Sequence, residues 1–248
     1  METNKKEKIV WHDDVLIKQF ISYAVGCMMG RYSIDKPGLI LANQGDGKQE
    51  YDALVPESRF EIDDDGIIPL ITTELNPFPD NCELRLREFV TTVYGDKSIT
   101  DNLNFMEQCL GKTIDDYLVS DFYKDHLQRY QNRPIYWLFS SNAKKKGAFQ
   151  VLVYMHRMDE FTVSRIRNNY LLPYIQHLQQ MVNTLGSRSA YLNRTENKTL
   201  ENAKKALAEC NAYDMLLNDM AHQQIKFDLD DGVKVNYAKF GVVLMKIK

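Results

Sequence analysis

Lys144, Lys145 and Lys146 stand together ahead of Gly147, three consecutive cations in the 248-residue chain. Lysine ammonium groups are compact cations that hold phosphate. Arg133 precedes the cluster, and Arg157, Arg165, Arg167, Asn168 and Asn169 follow it. Arginine and asparagine make two-point contacts with base edges, whereas lysine mainly grips the backbone. Arg165 and Asn168 are spaced about one helical turn apart, so a helix presents them on one face. The chemistry such residues support is nucleic-acid contact. The same residues also suit a solubilising loop tip over an aromatic core, and local chemistry does not separate the two.

Charge along the chain is uneven. Residues 121–170 carry nine Lys/Arg against four Asp/Glu, while residues 46–65 carry two against eight. The first stretch attracts a phosphate backbone and the second repels one. Two ordinary solvated faces have the same appearance. The net charge of −3 gives no global basic excess, so any nucleic-acid surface is local.

Other chemistries lack their motifs. Cys27, Cys82, Cys109 and Cys210 form no CxxC pair, which argues against a zinc site or a disulfide framework. The five histidines form no HExxH or HxH pattern, and neither GxSxG nor GxxxxGK[ST] occurs. EIDDDG at 61–66 opens like a calcium loop, but its twelfth position is Thr72 rather than Glu. The polar N-terminus does not read as a signal peptide, and the apolar run 20–30 is shorter than the ~20 residues a span needs. A cytoplasmic location is expected.

The elements that must position the basic residues follow from periodicity. Apolar spacing predicts helices over 13–30, 81–94, 98–110 and 113–130, with Thr113 as an N-cap and Gly111 as a stop. Residues 35–66 read as an acidic loop, and GIIPLI as a short edge strand because Pro69 limits pairing. IYWLFS and AFQVLVYMH, rich in aromatic and branched residues, form a β-hairpin with the lysines at its tip. Two long helices, 160–185 with a kink at Pro173 and 196–224, make an antiparallel hairpin. Alternation around Asp231-Gly232 predicts a closing strand pair. The expected fold is mostly helical α+β. Its first segment, 1–130, is helical with an acidic loop; its second, 131–248, holds the β-hairpin, helical hairpin and closing strands. The two together also read as one continuous module.

Several long stretches carry a family resemblance. RPIYWLFSS, KGAFQVLVYMHR and RIRNNYLLPY resemble the C-terminal region of the PglX family, the adenine-specific DNA methyltransferases of BREX phage-defence systems. ISYAVGCMMGRYSIDKPGLI, DFYKDHLQRYQ and IKFDLDDGVKVNYAKFG resemble the same family, in order from about Ile21 to Gly241. Large fused restriction-modification methyltransferases are similar. The resemblance implies N6 methylation of adenine from S-adenosylmethionine by the complete enzyme. It also implies double-stranded DNA, an N-terminal methyltransferase domain and other BREX subunits as partners.

One departure is decisive for chemistry. Enzymes of this type carry an N/D-P-P-Y/F motif that meets the flipped adenine. The nearest sequence here, NPFP at 76–79, has Phe78 in place of the second proline. A glycine-rich cofactor turn is missing as well. The expectation is therefore a non-catalytic, DNA-gripping scaffold with no cofactor of its own, inactive alone and similar to the back end of a larger enzyme. Arg133, Lys144–Lys146, Arg157, Arg165, Arg167, Asn168 and Asn169 are the candidate DNA contacts. The alternatives are a protein-interaction module for the methyltransferase half or another defence subunit, and an inert truncated remnant.

Overall fold

The computed structural model describes residues 12–247. The polar N-terminal stretch through Trp11 lies outside them. At the centre is a three-stranded antiparallel sheet of β1 (Ile67–Pro69), β2 (Tyr136–Ser140) and β3 (Gln150–Tyr154), in the order β1-β3-β2. Tyr136 pairs with Tyr154 and Ser140 with Gln150, while Ile67 pairs with Val153 and Pro69 with Val151. β1 lies at the edge, as Pro69 requires, because a proline has no N–H for a further ladder. Along the free side of β2 runs the tail of the chain. Ser140 N–H donates to Val243 O at 3.1 Å, and Met245 N–H to Leu138 O at 2.9 Å.

Every residue of β2 and β3 is buried, so both faces of the sheet are covered. Alternation alone predicts one buried face; here the aromatics of β2 are taken up on both. Tyr136 stacks on His126 with centroids 4.9 Å apart, towards the N-terminal helices. Trp137 packs edge-on against Tyr237 and Phe240 at 5.3 and 5.6 Å, towards the C-terminal helix. One hydrophobic cluster joins residues from both halves of the chain, Ile21 and Leu86 with Trp137, Ile166 and Leu217 among them.

The N-terminal layer comprises α1 (Asp13–Met28), α2 (Lys48–Leu54), α3 (Cys82–Tyr94), α4 (Ile99–Leu110), α5 (Ile114–Ser120) and α6 (Phe122–Arg129). Gly111 ends α4 in the left-handed conformation, and the Thr113 side chain accepts from Asp116 N–H at the start of α5. The single helix expected over 113–130 is broken at Asp121. Its carboxylate takes both Lys112 and Lys124. α2 falls inside the stretch expected to be loop. It is seven residues long, anchored by buried Tyr51 and by Glu50, which accepts Gly47 N–H at 2.8 Å.

The helical hairpin consists of α7 (Thr162–Arg165), a π-helical stretch (Ile166–Leu171), α8 (Leu172–Gly186) and α9 (Arg194–His222). The irregularity expected at Pro173 is thus a widened turn just before it, one of the ways a helix accommodates a residue without an N–H. The closing strand pair is replaced by helix. Asp228 accepts Asp230 N–H, Gly232 takes φ 87°, and α10 (Val233–Lys239) follows. Asn236 pins this corner by donating to Asp228 O and Gly232 O. In this region the chain contributes one isolated bridge, Phe139 to Leu244, to the sheet. Among the described residues no helix is long and apolar enough to cross a membrane.

Candidate nucleic-acid interface

The loop between β2 and β3 has a fixed backbone and free side chains. Asn142 Oδ1 accepts the N–H groups of Lys144 at 3.1 Å and Lys145 at 3.3 Å. Gly147 N–H donates to Gln150 Oε1 at 2.8 Å, and Ala148 N–H to Glu209 Oε1 of α9 at 2.8 Å. A Cβ at Gly147 would meet the hydroxyls of Ser140 and Ser141 at 2.7 Å, so the close return of the chain selects glycine. Lys144, Lys145 and Lys146 are exposed, and their ammonium groups make no ion pair among the described residues.

These lysines border a cavity of about 530 Å³ between the loop, α5, α6 and the C-terminal segment. Lys124 and Lys246 stand on the same rim, and no carboxylate lines it. Lys246 is unpaired among the described residues, whereas Lys124 lies 3.0 Å from Asp121. Leu118, Leu127, Leu138 and Met245 supply apolar walls. Sequence reading missed Lys124 and Lys246 because each is a single charge far along the chain from the cluster. The tail segment bridged to β2 and the α5–α6 break bring them in.

The remaining candidate contacts are placed differently. Arg133 is exposed just beyond the cavity residue Asn132. Asn168 and Asn169 are exposed on the π-helical stretch. The other three arginines are engaged within the protein. Arg157 donates to the carbonyls of Asp63 and Asp64, both at 2.7 Å. Arg165 binds both Asp159 oxygens, at 3.0 and 2.8 Å. Arg167 binds Asp214. None of Arg157, Arg165, Arg167, Asn168 and Asn169 lines the lysine cavity.

Arg157 belongs to the acidic loop. Asp63 Oδ1 accepts the N–H groups of Asp65, Gly66 and Ile67, and Tyr170 donates its hydroxyl to Asp65 at 3.1 Å or Asp80 at 3.3 Å. Burial, and then the charge of Asp65, push the Asp63 carboxyl up to about 7. Gly66 O receives Tyr154 N–H at the far end of β3, while the lysine loop leads into Gln150 at its start. At ~3.3 Å per residue the strand keeps the acidic and basic loops roughly 13 Å apart. This separation keeps the lysines away from Asp63–Asp65, although Lys146 also lines a neighbouring cavity with Glu74, Asp115, Asp116 and Glu209.

The histidines His126 and His156 are held below the ordinary imidazole range. His126 is buried, accepts Tyr136 N–H at 3.2 Å, and is pushed down to about 3 by burial. His156, beside Arg31, is pushed down to about 4, again by burial first. NPFP at 76–79 is a turn: the Asn76 amide closes on Phe78 N–H and O, both at 2.9 Å, and Phe78 packs on Tyr170.

No family model matches the chain. Two curated proteins do. The chain is 39% identical over 255 residues to the adenine-specific methyltransferase BrxX of Escherichia coli O9:H4 (strain HS), covering 96% of this chain and 21% of that protein. It is 38% identical over 238 residues to the adenine-specific methyltransferase PglX of Lacticaseibacillus casei (strain Zhang), covering 90% of this chain and 19% of that protein. The resemblance carried by the long sequence motifs is therefore homology over nearly the whole chain. The chain spans about one fifth of the length of the curated relatives it matches.

Proposed function

We propose that this chain supplies DNA grip and structural support to an adenine-specific (N6) DNA methyltransferase of a BREX-type phage-defence system, as its C-terminal, non-catalytic part. The observation that carries this reading is the lysine rim. Lys144, Lys145, Lys146 and Lys246 line one cavity in which no carboxylate takes part, and none of them makes an ion pair among the described residues. Like charges held together repel, and a bound polyanion turns that repulsion into attraction. Double-stranded DNA is the polyanion that the methyltransferase relatives suggest.

Methyl transfer itself falls to the rest of the enzyme, where S-adenosylmethionine and the adenine-binding motif would lie. The sequence of this chain contains neither the N/D-P-P-Y/F motif nor the glycine-rich cofactor turn. Fluorescence anisotropy of a labelled duplex, titrated with the chain at several salt concentrations, tests the grip. Affinity that falls steeply with salt is expected; no binding at low salt from a folded sample rejects it.

A second reading is favoured by one observation. Leu16 of α1, Tyr94 of α3 and Phe105 of α4 are exposed large apolar residues on the N-terminal layer. Such surface suits docking on the methyltransferase half or another subunit. Co-purification with that half without any DNA affinity would favour it.

A further inference from the structure

The lysine cavity has features that a phosphate grip alone does not need. Its walls include Leu118, Leu127, Leu138 and Met245, and its volume of about 530 Å³ is that of a small-molecule site. Phosphates are held by charges at a surface and gain nothing from an apolar recess. Two amides also face it. Gln128, which is exposed, and Asn132, which is half-buried, line the cavity. Asn132 sits at φ 59° directly after Gln131 at φ 51°, two left-handed non-glycine residues in succession. They close the C-terminus of α6, Gln131 N–H donating to Gln128 O at 3.2 Å and Asn132 N–H to Leu127 O at 2.8 Å, which fixes Asn132 at the cavity edge.

Building on the DNA-grip reading above, we propose that the cavity seats one unstacked nucleotide of a DNA strand. Its base would lie against the apolar walls. The Gln128 and Asn132 amides, each with a donor and an acceptor, would meet its hydrogen-bonding edge. The lysine rim would hold the phosphates on either side. A lipid or fatty acyl anion would satisfy the lysines and the walls but would leave both amides unused. A perfect duplex would reach only the rim, because its bases are stacked inside.

The test compares two duplexes of equal length, one perfect and one with a single bulged nucleotide, by anisotropy with the full chain. The bulged duplex is expected to bind roughly tenfold tighter, the order of one base buried on a protein surface. Ser120→Trp places bulk in the cavity and should bring the two affinities together. Asn132→Gly keeps the left-handed backbone while removing the amide, and should narrow the preference. Equal affinity of the unaltered chain for both duplexes overturns the inference and leaves the grip intact. A preference that survives in both variants overturns it as well. Absence of binding to either duplex removes the grip reading and this inference together.

Discussion

Arg167 grips Asp214 with two parallel hydrogen bonds, Nε to Oδ1 at 2.7 Å and Nη2 to Oδ2 at 3.1 Å. The pair ties the π-helical stretch to the middle of α9 across the helical hairpin. Side chains of both residues are about a quarter exposed. An arginine so engaged has given its fork to a carboxylate, and a base edge would have to compete for it.

Arg167→Ala is therefore expected to lower stability by about 1–2 kcal/mol, between the worth of an exposed ion pair and of a buried one. DNA affinity of the folded variant should change less than twofold. Urea denaturation and duplex anisotropy read the two effects separately. A large loss of affinity with no loss of stability would restore Arg167 as a DNA contact.

The pH dependence of stability follows from opposing groups. Asp63 is pushed up to about 7, so the folded chain holds a proton that the unfolded chain releases above the ordinary carboxylate range. Its contribution is complete below about pH 4 and is lost as pH rises to about 7. His126 and His156 are pushed down to about 3 and about 4, and their contribution is complete above about 6.5 and lost in acid. Asp63→Asn keeps an oxygen for the three N–H groups and removes the charge. It is expected to be more stable than the unaltered chain at pH 8 by on the order of 1–3 kcal/mol. Below pH 6.5 its stability should fall with acid as the histidines and then the carboxylates held low by cations, Asp35, Asp64, Asp121 and Asp159, take up protons. Asp65 and Asp80, raised by burial, oppose them. Equal destabilisation at pH 5 and pH 8 would contradict the assignment.

Much of the fold was legible because local and tertiary preferences agree. Thr113, Gly111, Pro69 and the aromatic strands each act as their chemistry dictates. The failures have physical causes. α2 is too short to declare itself, since a seven-residue helix forms only where a neighbour such as the pocket around Tyr51 stabilises it. In the tail, alternation drew attention away from Val233, Asn236, Tyr237 and Phe240, whose spacing is helical. Of the candidate site, the lysine run was visible as composition. That Arg157, Arg165 and Arg167 face internal partners was not, because those partners, Asp63, Asp64, Asp159 and Asp214, are set by packing.

Gly26 and Gly30 have the spacing of a helix-packing pair, but a returning loop is what approaches them. A Cβ at Gly26 would run into the Tyr32 ring, and one at Gly30 would meet Leu41 Cδ1 at 2.7 Å. Gly30 also has φ 77°, whereas Gly38, at φ 93°, has nothing within 4 Å. Gly30→Ala is expected to cost more than the ~1–2 kcal/mol of the backbone term alone, and Gly38→Ala about that term. Thermal unfolding of both variants checks the order. A Gly30→Ala variant as stable as Gly38→Ala would mean that Leu41 moves aside freely.

The lysine rim gives the sharpest prediction because fold and function separate there. Asn142 and Glu209 hold the loop through backbone and serine groups, and the three ammonium groups make no ion pair among the described residues. Replacing Lys144, Lys145 and Lys146 with alanine should therefore leave the thermal midpoint unchanged. Each phosphate contact contributes about 0.9 to the slope of log affinity against log salt. The triple variant should flatten that slope by roughly 2–3 and weaken binding most at low salt. Arg157→Ala should show the reverse pattern, losing stability through the freed carbonyls of Asp63 and Asp64 while keeping the slope. A triple lysine variant with an unchanged slope would remove the loop from the interface, and binding that persisted would then point to other groups, Lys246, Arg133, Asn168 and Asn169 among them.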